Sequence, residues 1–169
     1  MPLYFAYGSN MDRDAMSARC PRSRPLGPAR LARHRRFIME EGFASVRRDP
    51  LRAVHGVLWD LALADVRALD KYEEIARGLY AKIIQPVLVE GGARRALVYV
   101  GASVRPGAPR ADYIAGVIAA ARSWEFPQAY LRELMTFAPA AAQSAARPAG
   151  PQSAEAPKVR PRFATPFDR

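Results

Sequence analysis

The sequence predicts an α+β domain, and three observations carry the prediction. An aromatic strand opens the chain, hairpin-linked strands fill its middle, and amphipathic helices gather towards its end. With 169 residues the chain suffices for one domain with an apolar core but hardly for two domains. No internal repeat interrupts this order.

Residues 2–7, Pro-Leu-Tyr-Phe-Ala-Tyr, are aromatic and apolar and read as a buried strand. They run into Gly8-Ser9-Asn10, a cluster of turn-forming residues. A short helix is expected over 12–18, with Asn10 or Asp12 as its cap. Residues 21–28 are proline-rich and read as a loop. Strands are expected near 29–31, 36–39 and 44–46, where arginines blur the alternation. A clearer strand covers 54–61, with alternation from Val57 to Leu61.

A helix suits 62–74. The runs 79–89 and 96–100 are β-branched and aromatic, and Gly91-Gly92 between them predicts a hairpin. Residues 111–124 predict a helix with Ile114, Val117, Ile118 and Ala121 on one face. Pro127 fits the first turn of a last helix ending near Phe137. Residues 1–137 are thus expected to form the domain. Residues 138–169, rich in proline and alanine, read as a tail, disordered or loosely docked, because they hold too little apolar surface to offset their ordering entropy.

Composition excludes several classes. No apolar run approaches the roughly 18 residues that span a bilayer, so no membrane partner is expected. The N-terminus lacks the basic start and apolar stretch of a secretory signal. The single cysteine, Cys20, forbids an internal disulfide and reads as a small structural residue. Both points favour a cytoplasmic setting. The net charge of +10 comes mainly from arginine, a skew that reads as compositional bias. Apart from Arg33, Arg35 and Arg36 the arginines are scattered, and no aromatic-interleaved motif accompanies them. Nucleic acid is therefore not expected as the partner; attraction of a small anionic substrate is the milder use of this charge. There is no phosphate loop, dinucleotide fingerprint or CxxC pair. His34 and His55 lack partners at metal-ligand spacing, so no metal is expected. His34, within an arginine-rich stretch, reads as solvated and His55 as structural. A Ser9–His55 nucleophilic pair has no support in the spacing.

Three features carry chemistry. Gly8-Ser9-Asn10, at the end of a strand, exposes consecutive backbone N–H groups, and the expected helix would set its positive end beside them. This could cradle a carboxylate or an oxyanion, or be an ordinary strand-to-helix turn. Second, Ala62, Val66 and Leu69 form the inward stripe of the 62–74 helix, and Glu73 falls roughly 20° from Val66 on the wheel. Asp70 and Glu74 fall to its outer side, and Lys71 further round. Glu73 either lines a cavity, where burial and the helix carbonyls raise its pKa, or the helix ends early and leaves it in water. Third, Tyr4, Tyr7, Tyr80 and Tyr99 lie on strands; one or two could bring a hydroxyl to the same cleft.

The run Tyr4-Phe5-Ala6-Tyr7-Gly8-Ser9-Asn10-Met11 resembles the signature of the γ-glutamylcyclotransferase family. Val54-His55-Gly56-Val57-Leu58-Trp59, Leu69-Asp70 followed by Glu73, Gly78-Leu79-Tyr80 and Leu97-Val98-Tyr99 follow in the family's order. The resemblance covers residues 3–137. It implies a compact mixed β-barrel of about five to seven strands with flanking helices. It implies a small γ-glutamyl substrate held against Tyr4, Phe5, Ala6, Tyr7, Gly8, Ser9 and Asn10, with Tyr80 and Tyr99 nearby and Glu73 catalytic. The activity implied is cyclisation of the γ-glutamyl group to 5-oxoproline without a cofactor. Glu74 departs from the glycine that many members carry there. A non-catalytic binding protein on the same fold is the competing class; oligomeric state is not readable from the sequence.

Overall fold

A computed structural model describes residues 1–138; the expected tail lies outside the described residues, save Ala138, which is buried. Five strands close into a barrel: β1 (Leu3–Ala6), β2 (Arg24–Ile38), β3 (Ala44–Asp60), β4 (Tyr80–Val89) and β5 (Gly92–Gly101). Around the barrel the order is β1-β3-β2-β4-β5, and a parallel contact between Tyr4 and Leu97 closes it back onto β1. The other pairings are antiparallel. Four helices flank it: α1 (Arg13–Arg19), α2 (Val66–Tyr72), α3 (Ala111–Ser123) and α4 (Gln128–Met135). This is the α+β barrel expected.

Alternation sorts the side chains into two cores. Phe5 on β1 and Tyr7 just beyond it enter a cluster inside the barrel with Leu31, Val54, Leu58 and Val98. Tyr4 and Ala6 face the other way, into a cluster shared with the helices through Met11, Trp59, Leu69, Val117 and Leu134. A strand that is apolar on both faces therefore has both faces buried. Gly56 is required where β3 crosses β1, since a Cβ there would lie 2.3 Å from the Ala6 carbonyl oxygen.

The hairpin of β2 and β3 corrects the sequence reading. The short strands expected at 29–31 and 36–39 are one strand, and those at 44–46 and 54–61 are another. The break between the first two is a bulge: the register shifts between Ala32 and His34, and Arg33 takes a left-handed φ of 58°. Ala29 and Leu31 face inwards before it, and Ile38 after it. The inward parity changes from odd to even, which obscures the alternation. The loop expected over 21–28 is shorter than that, because β2 already begins at Arg24. A second register shift, between Pro25 and Gly27, accommodates these residues. His34 is buried with Nδ1 against the Ala32 carbonyl at 2.8 Å, not solvated. Arg36 likewise leaves the arginine cluster and turns into the protein.

One helix is shorter than expected and another is shifted by one residue. The segment 62–74 divides into a 3₁₀ turn at Leu63–Asp65, then α2, then a second turn at Ile75–Arg77. The helix expected from residue 12 begins at Arg13, after a 3₁₀ turn at Ser9–Met11. Asp12 caps it by accepting from the Ala15 amide at 2.7 Å; Asn10 does not. Cys20 ends it, fully buried, and burial pushes its thiol up to about 11, as suits a structural residue. No helix among the described residues is long and apolar enough to cross a membrane.

Candidate active site

The first turn after β1 and the end of α2 meet across a cavity of about 160 Å³. Its walls include Tyr4, Tyr7, Gly8, Ser9, Asn10, Glu73, Tyr80 and Tyr99, all marked in the sequence as site residues. Phe5 and Ala6 do not reach it: Phe5 packs inside the barrel and Ala6 against the helix side, both fully buried. Phe43, Tyr72, Glu74, Leu79 and Tyr113 complete the lining, together with Ala44.

Asn10 is the hub. It is 2% exposed, and its Nδ2 donates to Glu73 Oε1 at 2.7 Å and to the Tyr4 hydroxyl at 3.0 Å. Its Oδ1 accepts from Arg19 Nη1 at 2.5 Å. That bond settles which way the amide faces, since a guanidinium only donates. Arg19 is itself stacked on the Tyr72 ring, 3.6 Å from the centroid, and the Tyr72 hydroxyl meets Ser9 Oγ at 2.9 Å.

Glu73 sits just beyond the last residue of α2, its amide bonded to the Leu69 carbonyl at 2.9 Å. The helix does end early, yet the side chain still turns into the cavity. Burial pushes its carboxyl up to about 7, against the opposing pull of the Arg19 guanidinium and of hydrogen bonds from Asn10 and Tyr4. A carboxyl titrating there can take a proton and return it near neutral pH.

The turn facing Glu73 holds unclaimed donors. Met11 donates to the Gly8 carbonyl at 3.1 Å and Asp12 to the Ser9 carbonyl at 3.2 Å, which closes the 3₁₀ turn. The amides of Gly8, Ser9 and Asn10 precede these bonds, and none of the described residues accepts from them. Glycine is needed at position 8, because a Cβ would lie 2.7 Å from the Tyr113 hydroxyl.

The tyrosines are walls more than reagents. Tyr7 donates to the Tyr99 carbonyl at 2.5 Å and Tyr80 to the Ala44 carbonyl at 2.8 Å. Tyr99 donates to Asp70 Oδ1 at 2.6 Å and packs edge-on against Tyr4. Burial raises the hydroxyl pKa of Tyr4, Tyr7, Tyr80 and Tyr99, so all four stay protonated. His55 is distant from Ser9 in its contacts: its ring packs on Phe126 and Tyr130, and burial lowers its pKa.

Sequence reasoning missed Arg19 and Asp70. Arg19 reads only as a cation in the last turn of a helix; nothing local says that it reaches back to Asn10. Asp70, on the outer side of Glu73 on the helical wheel, bonds Tyr99 and also Lys82 Nζ at 2.8 Å. A signal for it exists: Lys82 and Tyr99 are directly opposite across the β4–β5 hairpin, and Asp70 lies one turn before Glu73. Glu74, the departure from glycine, occupies the left-handed region with φ 51° and ψ 40°. That conformation is why glycine suits the position. Among the described residues no group of three or more His, Cys, Asp or Glu is gathered as a metal site.

A family model described as gamma-glutamyl cyclotransferase, AIG2-like, matches residues 4–125. A solved structure described as a gamma-glutamyl cyclotransferase superposes with a TM-score of 0.76 at 23% identity, covering 82% of this chain and 88% of that one. An uncharacterized protein from Homo sapiens gives a TM-score of 0.75 at 25% identity, with 81% and 88% covered. YkqA from Bacillus subtilis gives 0.70 at 21% identity, covering 80% of this chain and 53% of its own. No match is found among curated proteins.

Proposed function

We propose that this chain, which belongs to the AIG2-like γ-glutamyl cyclotransferase family, cyclises the γ-glutamyl group of a small peptide or amine to 5-oxoproline, with Glu73 carrying the proton. One observation carries this reading. A carboxyl pushed up to about 7 is held by the Asn10 amide across a cavity from a turn of unclaimed N–H groups.

The chemistry follows from that arrangement. The α-amine of a γ-glutamyl substrate is largely protonated at neutral pH and cannot attack in that form. Glu73 takes a proton from it. The nitrogen then attacks the δ-carbonyl of its own chain, a new C–N bond closes the five-membered ring, and the carbonyl oxygen becomes an oxyanion. Because the nucleophile is tethered, selecting the curled conformer can supply about 7–11 kcal/mol of the barrier. The amides of Gly8, Ser9 and Asn10 offer donors to the α-carboxylate and the oxyanion. When the oxyanion collapses, the original C–N bond breaks, Glu73 returns its proton to the departing nitrogen, and the ring nitrogen sheds its second proton to the released amine, which leaves as an ammonium beside the neutral lactam. No external cofactor enters this sequence.

The cavity suits the product in size. A volume of about 150 Å³ admits a molecule as large as benzene, and 5-oxoproline is a five-membered ring bearing a carboxylate. Asn10 keeps a donor towards Glu73, which favours the carboxylate that must accept the proton, while burial favours the acid that must give it back.

Incubating the protein with a panel of γ-glutamyl peptides and γ-glutamyl amines, and assaying 5-oxoproline, tests the reading. Release of 5-oxoproline from at least one, lost in Glu73→Gln, is expected. Tight binding of the panel with no product in the wild type would favour a non-catalytic binding protein and refute the enzyme.

A further inference from the structure

Arg36 is a buried cation without a counterion. It is 4% exposed, and none of the ion pairs among the described residues includes it. Its Nε and Nη1 are buried with no hydrogen-bond partner. Its Nη2 donates to the Tyr7 carbonyl and, at 3.1 Å, to the Tyr130 hydroxyl on α4. A guanidinium cannot shed its proton in a protein, so this is a full charge held out of water, and such a charge is strongly destabilising when unpaired. Its inward direction is built into the fold. The bulge at Arg33 changes the parity of β2, so that Arg36 shares the face of Ile38.

What Arg36 grips explains what it serves. The Tyr7 carbonyl and the Gly8 amide are the two ends of one planar trans peptide and point in opposite directions. Holding the carbonyl therefore fixes the amide. A donor on the carbonyl also polarises the peptide and strengthens its N–H. The Gly8 amide has no acceptor among the described residues, and Gly8 lines the cavity. The brace continues outwards, because the Tyr130 hydroxyl that accepts from Arg36 donates to the His55 carbonyl at 3.2 Å. The cavity lining itself contains Glu73 and Glu74 and no Lys, Arg or His.

We infer that Arg36 is a positioning residue of the cavity: by gripping the Tyr7 carbonyl it aims and strengthens the Gly8 amide for an anionic oxygen of the ligand, and it sets positive charge behind a lining that has none. The identity of that oxygen, an α-carboxylate or a developing oxyanion, rests on the γ-glutamyl reading; the hold on the Gly8 amide does not.

The test uses the full chain in three variants: Arg36→Met, Arg36→Lys and Tyr130→Phe. The Gly8 amide resonance of the ligand-free protein is followed by ¹⁵N–¹H NMR, and kcat/KM is measured on a γ-glutamyl substrate turned over by the wild type. In Arg36→Met the Gly8 resonance is expected to move well beyond those of distant amides, and kcat/KM to fall about 100-fold, as when an oxyanion donor is lost. Arg36→Lys, which keeps charge and donor, should recover much of both. Tyr130→Phe removes only the brace and should move both readouts in the same direction by less, which keeps a result in hand if Arg36→Met does not fold. A folded Arg36→Met, or failing that Tyr130→Phe, with the Gly8 resonance and kcat/KM both unmoved overturns the inference. A wild type that yields no 5-oxoproline sinks the cyclotransferase reading instead, and the Gly8 resonance still decides the role of Arg36.

Discussion

Asp70 and Glu73 stand one helical turn apart at the end of α2, and their surroundings are opposite. Asp70 has a cation and a hydroxyl: Lys82 at 2.8 Å and Tyr99 at 2.6 Å. Glu73 has a neutral amide at 2.7 Å, with the nearest guanidinium held one residue away behind Asn10. With both oxygens engaged by Lys82 and Tyr99, Asp70 fastens the tyrosine wall to the end of α2. Glu73, half-buried and only indirectly compensated, is pushed up to about 7. Two acids on one helix end are thus divided between scaffold and chemistry by what their neighbours can donate.

Removing the carboxyl that titrates should have the largest effect. Glu73→Gln keeps the shape and the Asn10 contact, and 5-oxoproline formation should fall about 1,000-fold or more with KM little changed. The same variant should show a stability signature. A carboxyl raised in the folded state contributes stability below its ordinary value of 4.5 and loses it as pH rises through about 7. Thermal melts should therefore show Glu73→Gln gaining on the wild type between pH 5 and 8, with a ceiling of about 3 kcal/mol.

Loosening the scaffold acid should cost less. Asp70→Asn leaves Tyr99 and Lys82 without their shared anion, and kcat/KM should fall about tenfold through a displaced wall. Its acid limb should stay with Glu73; if that limb moved with Asp70, the division of labour would be wrong. Smaller still is Arg19→Met. Arg19 lowers the Glu73 pKa and sets the Asn10 amide, so its loss should move the acid limb of kcat/KM to higher pH. Steady-state rates between pH 5 and 8 would show it. The mildest change is Glu74→Gly, which relieves a left-handed backbone at φ 51° and loses a surface pair with Arg77. Unfolding in urea should show a gain of about 1 kcal/mol, with the rate close to that of the wild type.

Much of this comparison was legible in the sequence, and the part that was not has physical causes. Glu73 was visible because seven residues make nearly two full turns of helix and return to the direction of Val66, even though α2 stops at Tyr72. The β4–β5 hairpin was visible because its turn is local, although the turn falls at Glu90-Gly91 rather than Gly91-Gly92. The long β2–β3 hairpin was not, because the Arg33 bulge moves the inward face by one residue midway. Arg36 read as one of an arginine cluster with Arg33 and Arg35, and its inward direction was hidden for the same reason. Asp70 and Arg19 were missed because their partners come from other elements, and a helical wheel describes only one. Phe5 and Ala6 lie in the motif without reaching the cavity: Phe5 packs inside the barrel and Ala6 against the helix side, and a motif does not say which of its residues reach the site.

The most direct measurement is the titration of one carboxyl. Following the Glu73 side-chain ¹³C resonance against pH, alongside the acid limb of kcat/KM, should give two curves sharing a midpoint near 7. A Glu73 midpoint at the ordinary 4.5, or an acid limb that persists unchanged in rate profiles while the Glu73 resonance titrates elsewhere, would contradict the account.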